Sequence, residues 1–95
     1  MSIASQAKLA VFNAIGTLLE DKSIIVANET PLLGGESVMD SMKLVELCLA
    51  LEDHATELGF QFDWTSEAAL SKSRSMFRTA GSLAAEFCQQ RDAQA

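Results

Sequence analysis

Ser41 is the residue whose type and position are best suited to chemistry. It follows Asp40 and begins a strongly helical run that extends to about Leu58. A hydroxyl at the start of a helix lies near backbone N–H groups that carry partial positive charge, where a phosphate is favoured. No histidine or lysine stands at a position that the sequence marks as its base, so we expect Ser41 to be an acceptor that another enzyme activates. Spacing alone also fits a serine that merely starts a helix.

The other reactive side chains predict no catalytic or metal site. Cys48 and Cys88 fall on the apolar sides of predicted helices without C-x-x-C spacing, so we expect both to be buried, reduced and structural. His54, with Asp53 and Glu57 near it, provides too few convergent ligands for a metal. We find no nucleophile–base pair and no glycine loop with its phosphate-binding lysine, so we expect no enzymatic activity.

Apolar residues at spacings of three and four predict three main helices. The first extends from Ile3 to about Leu19, the second from Ser41 to about Leu58 with Asp40 as N-cap, and the last begins after Thr79 as N-cap. The inward stripes of the three predicted helices are Ala7, Val11, Ala14, Ile15 and Leu18; Leu44, Leu47, Cys48, Leu51, Ala55 and Leu58; and Ala80, Leu83, Ala84, Phe87 and Cys88.

The segments between these helices complete an all-α bundle, in which residues 66–73 add a short helical turn. Residues 22–39 form a long loop, with Pro31 and the pair Gly34-Gly35 as turn signals. We expect five apolar residues to anchor this loop on the core. After Gly59, we expect three aromatic residues of a short extended segment to turn toward the core, without forming a sheet. The anchors are Ile24, Ile25, Leu32, Leu33 and Val38; the aromatic residues are Phe60, Phe62 and Trp64; and residues 91–95 are expected to fray.

Length and charge limit the function further. The 95 residues suit one domain, 1–95, too small to enclose a deep active site. The net charge of −6 disfavours nucleic acid and anionic membranes, and the whole excess of acids lies in residues 29–57. The sequence shows no secretory signal and no membrane-spanning run, so we expect a cytoplasmic protein. We also expect a monomer.

The side of the second helix opposite its core stripe combines apolar and acidic residues. Met42, Glu46, Leu49 and Asp53 lie about 180° from the centre of that stripe. Large apolar side chains beside carboxylates are typical of a surface that docks a partner protein. Scattered exposed hydrophobic residues without a function are the alternative.

A resemblance to a known family joins these observations. The motif Asp40-Ser41-Met42, followed by Val45-Glu46-Leu47 and an acidic helix end, resembles the prosthetic-group region of acyl carrier proteins, and residues 77–87 resemble the last helix of that family. The resemblance implies a 4'-phosphopantetheine arm on Ser41, next to Asp40, and a partner face formed by Met42, Glu46, Leu49 and Asp53. It also implies two kinds of partner: a phosphopantetheinyl transferase, and acyl-loading and acyl-processing enzymes with basic docking patches.

The resemblance leaves the cargo open. Lys43 stands where carriers of fatty-acid synthesis commonly have an acidic residue, and residues 64–78 carry Trp64, Lys72, Arg74 and Arg78 where those carriers tend to be shorter and more acidic. These departures indicate a specialised carrier that serves a dedicated pathway, so we expect an acyl carrier of a fatty-acid, polyketide or related specialised pathway. A carrier of aminoacyl or peptidyl groups is one alternative. A helical adaptor that binds proteins and is never modified is another.

Overall fold

The computed structural model of the chain describes residues 3–19, 23–32 and 41–94. These ranges contain four α-helices and no β-strand, only an isolated bridge between Pro31 and Thr79. The helices are α1 (Ile3–Leu18), α2 (Ser41–Leu58), α3 (Glu67–Met76) and α4 (Ala80–Gln94). The described residues therefore form the predicted all-α bundle of three main helices and a short one.

One hydrophobic core joins α1, α2 and α4. Eight of the ten predicted inward residues of α1 and α4 are buried in it, among them Val11, Ile15, Leu83 and Phe87, which are fully inaccessible to solvent, while Leu18 and Cys88 are partly buried against it. α1 packs against both α2 and α4, whereas α3 packs mainly on α4. The helical period of apolar residues thus decided which sides face inward.

The first part of the loop after α1 is attached to the start of α4. The backbone N–H groups of Ala80 and Gly81 donate to the carbonyls of Thr30 and Asn28, at 2.8 and 3.0 Å. A Cβ atom on Gly81 would lie 2.9 Å from the Asn28 carbonyl oxygen, so only glycine allows this approach. The loop carbonyls therefore satisfy N–H groups that the first turn of a helix leaves free.

The predicted loop anchors are confirmed only in part. Leu32 is fully buried, and Ile24 packs against the core. Ile25 is 88% exposed, so the prediction that it anchors the loop is wrong. Neighbouring side chains of an extended segment point to opposite sides, which explains why Ile24 and Ile25 differ. Leu33 and Val38 lie outside the described residues.

α3 begins one residue later and ends three residues later than the predicted turn 66–73. Ser66 is its N-cap, and its hydroxyl accepts from the Ala69 N–H. Asp63 precedes this cap: its carboxylate accepts from the Ser66 hydroxyl and from the N–H groups of Thr65 and Ser66. The helix continues although serines are weak helix formers, and the hydroxyls of Ser71, Ser73 and Ser75 are each satisfied by the carbonyl three residues earlier.

The start of α4 confirms Thr79 as its N-cap. Thr79 Oγ1 accepts from the Ser82 N–H, and Ser82 Oγ accepts from the Thr79 N–H. This exchange follows the capping-box pattern, with serine in the place usually held by glutamate or glutamine.

The end of α4 contradicts the predicted fraying, because the helix continues to Gln94. The side-chain amide of Gln94 donates to the Gln61 carbonyl and accepts from the Gln61 N–H, and Gln90 does the same with Asp63. The four distances are 2.7 to 2.9 Å. Two glutamines one turn apart thus pair with alternate residues of an extended segment, as a neighbouring strand would.

The aromatic side chains after α2 turn inward as predicted. Gly59 ends the helix with a φ of +89°, a conformation that glycine adopts without strain. Phe60 and Phe62 are buried, and their ring centroids lie 5.0 and 5.4 Å from that of Phe87. Trp64 is half-buried against the same core. Among the described residues, no helix has the length and apolar content that crossing a membrane requires.

Candidate functional site

Ser41 is the first residue of α2, as the sequence predicted. Asp40 and the side chain of Ser41 lie outside the part of the chain that the structure describes, so the predicted N-cap and the exposure of the hydroxyl stay predictions. The backbone position is informative by itself, because the first N–H groups of an α-helix have no partner within the helix. Ser41 lies about 26 Å along α2 from its last residue, Leu58.

The inward side of α2 fixes the rotation of the helix about its axis. All six residues of the predicted core stripe face the core: five are buried, and Leu58 is partly buried against it. Leu47 and Leu51 are fully inaccessible, and Cys48 is 1% exposed. With this side packed, the residues at the opposite helical angle must face outward.

The outward side of α2 displays the predicted row of four residues. Met42 is 77% and Leu49 50% exposed, and Glu46 and Asp53 are exposed beside them. Val45, which the sequence prediction omitted, is 47% exposed and lies one turn after Met42 and one turn before Leu49. We refer to Met42, Val45, Glu46, Leu49 and Asp53 as the docking face.

The charges of the docking face are largely available to a partner. Lys43 Nζ lies 3.6 Å from Glu46 Oε2, but the Lys43 side chain is about one-third exposed and that of Glu46 about half exposed, so water screens this pair and it is weak. Asp53 borders an open cleft of about 360 Å³, which is lined by Glu52, Asp53, Thr56, Gln61 and Phe62. The acidic end of α2 is therefore accessible from the outside and from this cleft.

Glu52 has a structural partner that the sequence did not predict. Its Oε1 accepts from the indole Nε1 of Trp64 at 2.9 Å. This hydrogen bond joins α2 to the extended segment after it, and a buried or half-buried indole N–H generally needs such an acceptor. No local signal marks Glu52 as that acceptor, because the two residues are twelve positions apart.

The thiols are unsuited to nucleophilic chemistry. Cys48 is buried as predicted, and burial, with the nearby charge of Glu52, raises the pKa of its thiol to about 12. Cys88 is only half-buried, and burial raises the pKa of its thiol too. Neither of these two cysteines is in a disulfide, and both thiols are protonated at neutral pH. Among the described residues, no group of three or more His, Cys, Asp and Glu side chains could hold a metal ion.

Comparison with family models, with curated proteins and with solved structures gave no match for this chain.

Proposed function

We propose that this chain is an acyl carrier protein, which holds an acyl intermediate as a thioester on a 4'-phosphopantetheine arm attached to Ser41. The observation that carries the proposal is the arrangement on α2. The serine of the family-like motif is the first residue of the helix, and an exposed face of apolar and acidic side chains follows it. We further propose a monomeric, cytoplasmic carrier that serves a fatty-acid, polyketide or related specialised pathway.

The first turn of α2 suits the phosphodiester that such an arm requires. The unpaired N–H groups at a helix N-terminus and the helix dipole both favour a phosphate there. Phosphopantetheine would come from coenzyme A, and when bound it supplies a terminal thiol on which the acyl group is carried. Ser41 would provide the attachment oxygen, and the residue before it, Asp40, belongs to the motif that a transferase recognises.

The docking face would select the enzymes that load and process the cargo. Met42, Val45 and Leu49 offer apolar contact area, while Glu46 and Asp53 attract a basic patch on the partner. Complementary charge mainly raises the rate of encounter and discriminates between partners. In this proposal the chain performs no catalytic step itself, because the partner enzymes supply the catalytic groups.

The decisive experiment is covalent loading. The purified apo-protein is incubated with coenzyme A and a broad-specificity phosphopantetheinyl transferase, and its intact mass is measured. We expect a gain of one phosphopantetheine for the wild type and for Ser37→Ala, the matched control, and no gain for Ser41→Ala. No gain in the wild type, or a gain that survives Ser41→Ala, would reject the proposal.

The rate of covalent loading also measures how much the docking face contributes to recognition by the transferase. Reversing both acids, in Glu46→Lys with Asp53→Lys, should lower kcat/KM for the transferase by about tenfold, because attraction becomes repulsion. The matched control is Glu29→Lys with Glu67→Lys, which reverses two exposed acids outside the docking face and should leave kcat/KM within about twofold. Equal effects of the two reversals would show that only net charge matters.

Two other readings remain distinguishable from this one. An unmodified adaptor would gain no mass but would still bind a protein through the docking face. An aminoacyl or peptidyl carrier would be loaded on Ser41, and identification of the thioester on protein isolated from its host would separate it from an acyl carrier.

A further inference from the structure

The exposed side of α3 has a charge opposite to that of the docking face. Residues 66–79 contain Lys72, Arg74 and Arg78 but only one acid, Glu67, in a chain whose net charge is −6. Lys72 is compensated, because its Nζ lies 3.7 Å from Glu86 Oε2. Within the described part of the chain, no carboxylate oxygen lies within 4 Å of Arg74 or Arg78.

An exposed leucine accompanies these two arginines. Leu70 is 60% exposed and lies one turn before Arg74 on α3, and Arg78 follows four residues after Arg74, just beyond the helix end. The buried side of α3, by contrast, is formed by Ala69 and Met76. Leu70 therefore contributes nothing to the core. We refer to Leu70, Arg74 and Arg78 as the basic patch.

The basic patch is held in a defined place although α3 has few core contacts. The Asp63 and Ser66 hydrogen bonds fix the start of α3. At the other end, the Ser82 hydroxyl donates to the Met76 carbonyl, and the Leu32 N–H donates to the Arg78 carbonyl. A surface with fixed ends binds with less loss of conformational entropy than a mobile one.

We propose that the basic patch is a second docking surface, which binds an acidic, leucine-containing helix of a partner protein. This occupant is complementary to the patch: Arg74 and Arg78, which have no carboxylate within 4 Å among the described residues, can pair with carboxylates, and Leu70 can pack on an apolar side chain. Leu70 to Met76 span about 9 Å of α3, and Arg78 extends the patch beyond the helix end, so the patch is long enough for about two turns of a facing helix. A second copy of this chain is a poorer occupant, because two molecules of charge −6 repel each other.

Two arginines and one leucine are also too little for an anionic membrane. Each basic residue near such a surface contributes only about 1 kcal/mol, and the rest of the chain is repelled. The proposal does not depend on Ser41 or its modification, so it holds equally for a carrier and for an unmodified adaptor. Failure of covalent loading would leave it untouched.

The test titrates a synthetic helical peptide, with one leucine and glutamates one and two turns after it, into isotope-labelled full-length protein. We expect amide shift changes in residues 67–79 and an affinity that falls with added salt. Arg74→Glu with Arg78→Glu should weaken binding by about tenfold. The matched control Lys8→Glu, which reverses an exposed cation on α1, should change it less than twofold.

Several results would overturn the proposal. One is that the peptide changes the amide shifts of residues outside 67–79 instead of those within it. Another is that Lys8→Glu and the arginine reversal weaken peptide binding equally. Tighter binding to phosphatidylglycerol vesicles than to the peptide would indicate a membrane site. Concentration-dependent sedimentation that the arginine reversal abolishes would indicate a second copy. If the reversed variant loses its dispersed amide spectrum, Arg74→Gln with Arg78→Gln replaces it, with weakening still expected.

Discussion

The α2 side of the molecule and the side formed by residues 61–82 are stabilised in different ways. α2 buries an uninterrupted apolar stripe, with Leu47 and Leu51 fully inaccessible. The other side also buries Phe62, Met76 and Phe77, but its course depends on polar contacts. These are the Asp63 and Ser66 cap, the glutamines of α4, and the Thr79 and Ser82 exchange.

This difference shows how one small chain can present two surfaces of opposite charge. A helix anchored by packing can use every outward position for binding, so α2 displays three apolar side chains and two acids in one row. A helix with little core contact depends more on its caps, as α3 does on Asp63 and Ser66. Its outward positions remain available for a different charge.

The largest expected effect is a test of packing on the α2 side. Leu51→Ala removes a fully buried side chain and should lower the free energy of unfolding by about 2 to 5 kcal/mol. The same change at the exposed Leu70 of α3 should cost less than about 0.5 kcal/mol. Urea unfolding of both variants measures the contrast, and similar losses would contradict the assigned burial.

A substitution at Gly81 tests the close backbone approach on the other side. Gly81→Ala places a Cβ 2.9 Å from the Asn28 carbonyl oxygen, so we expect a loss of about 1 to 3 kcal/mol although alanine favours helices. The control is Gly16→Ala in α1, whose Cβ would meet only Val26 Cγ2 at 4.0 Å. The free energy of unfolding of Gly16→Ala should rise by up to about 1 kcal/mol, as measured by thermal or urea unfolding. If Gly81→Ala left the free energy of unfolding unchanged, the loop around Asn28 would be able to move away from α4 at little cost.

Removing one glutamine of α4 should have a smaller effect. Gln94→Ala loses two hydrogen bonds to the Gln61 backbone, and we expect a cost of about 1 kcal/mol. Hydrogen exchange at the Gln61 amide should accelerate in this variant more than exchange in α2. Gln89→Ala, an exposed neighbour on the same helix, is the control. Unchanged exchange at Gln61 would mean that this pairing contributes nothing to stability.

The smallest expected effect depends on pH and on Asp63. Hydrogen bonds from the Ser66 side chain and backbone hold the pKa of Asp63 below its ordinary value of 3.8. Because the folded-state pKa is the lower one, the stabilising contribution is complete above 3.8 and is lost as the pH falls through the folded-state pKa. The difference in free energy of unfolding between the wild type and Asp63→Asn should therefore become smaller as the pH is lowered.

Urea unfolding at a series of pH values checks this prediction about Asp63. Gln89→Ala, which removes an exposed and uncharged side chain, is the control, and its free energy of unfolding should differ little from that of the wild type at every pH. If the free energy of unfolding of the wild type exceeded that of Asp63→Asn by more at low pH than at neutral pH, the predicted direction of the pH dependence would be wrong.

The sequence by itself determined the three main helices and the direction that α2 faces. Apolar residues three and four positions apart can share one side of a helix only, so the stripe of Leu44, Leu47 and Leu51 fixed which side is buried. Thr79 marked the start of α4 because a cap acts within its own turn. The outward row from Met42 to Asp53 followed from the same geometry.

Only the tertiary structure determined the features that depend on contacts between residues far apart in the sequence. Ile24 and Ile25 are equivalent in type, and only the position of the loop leaves one packed and the other 88% exposed. The helical end of α4 depends on Gln94 meeting Gln61, which is 33 residues away. Such pairings arise only after the core has brought α2, α4 and the extended segment together, so no local pattern can encode them.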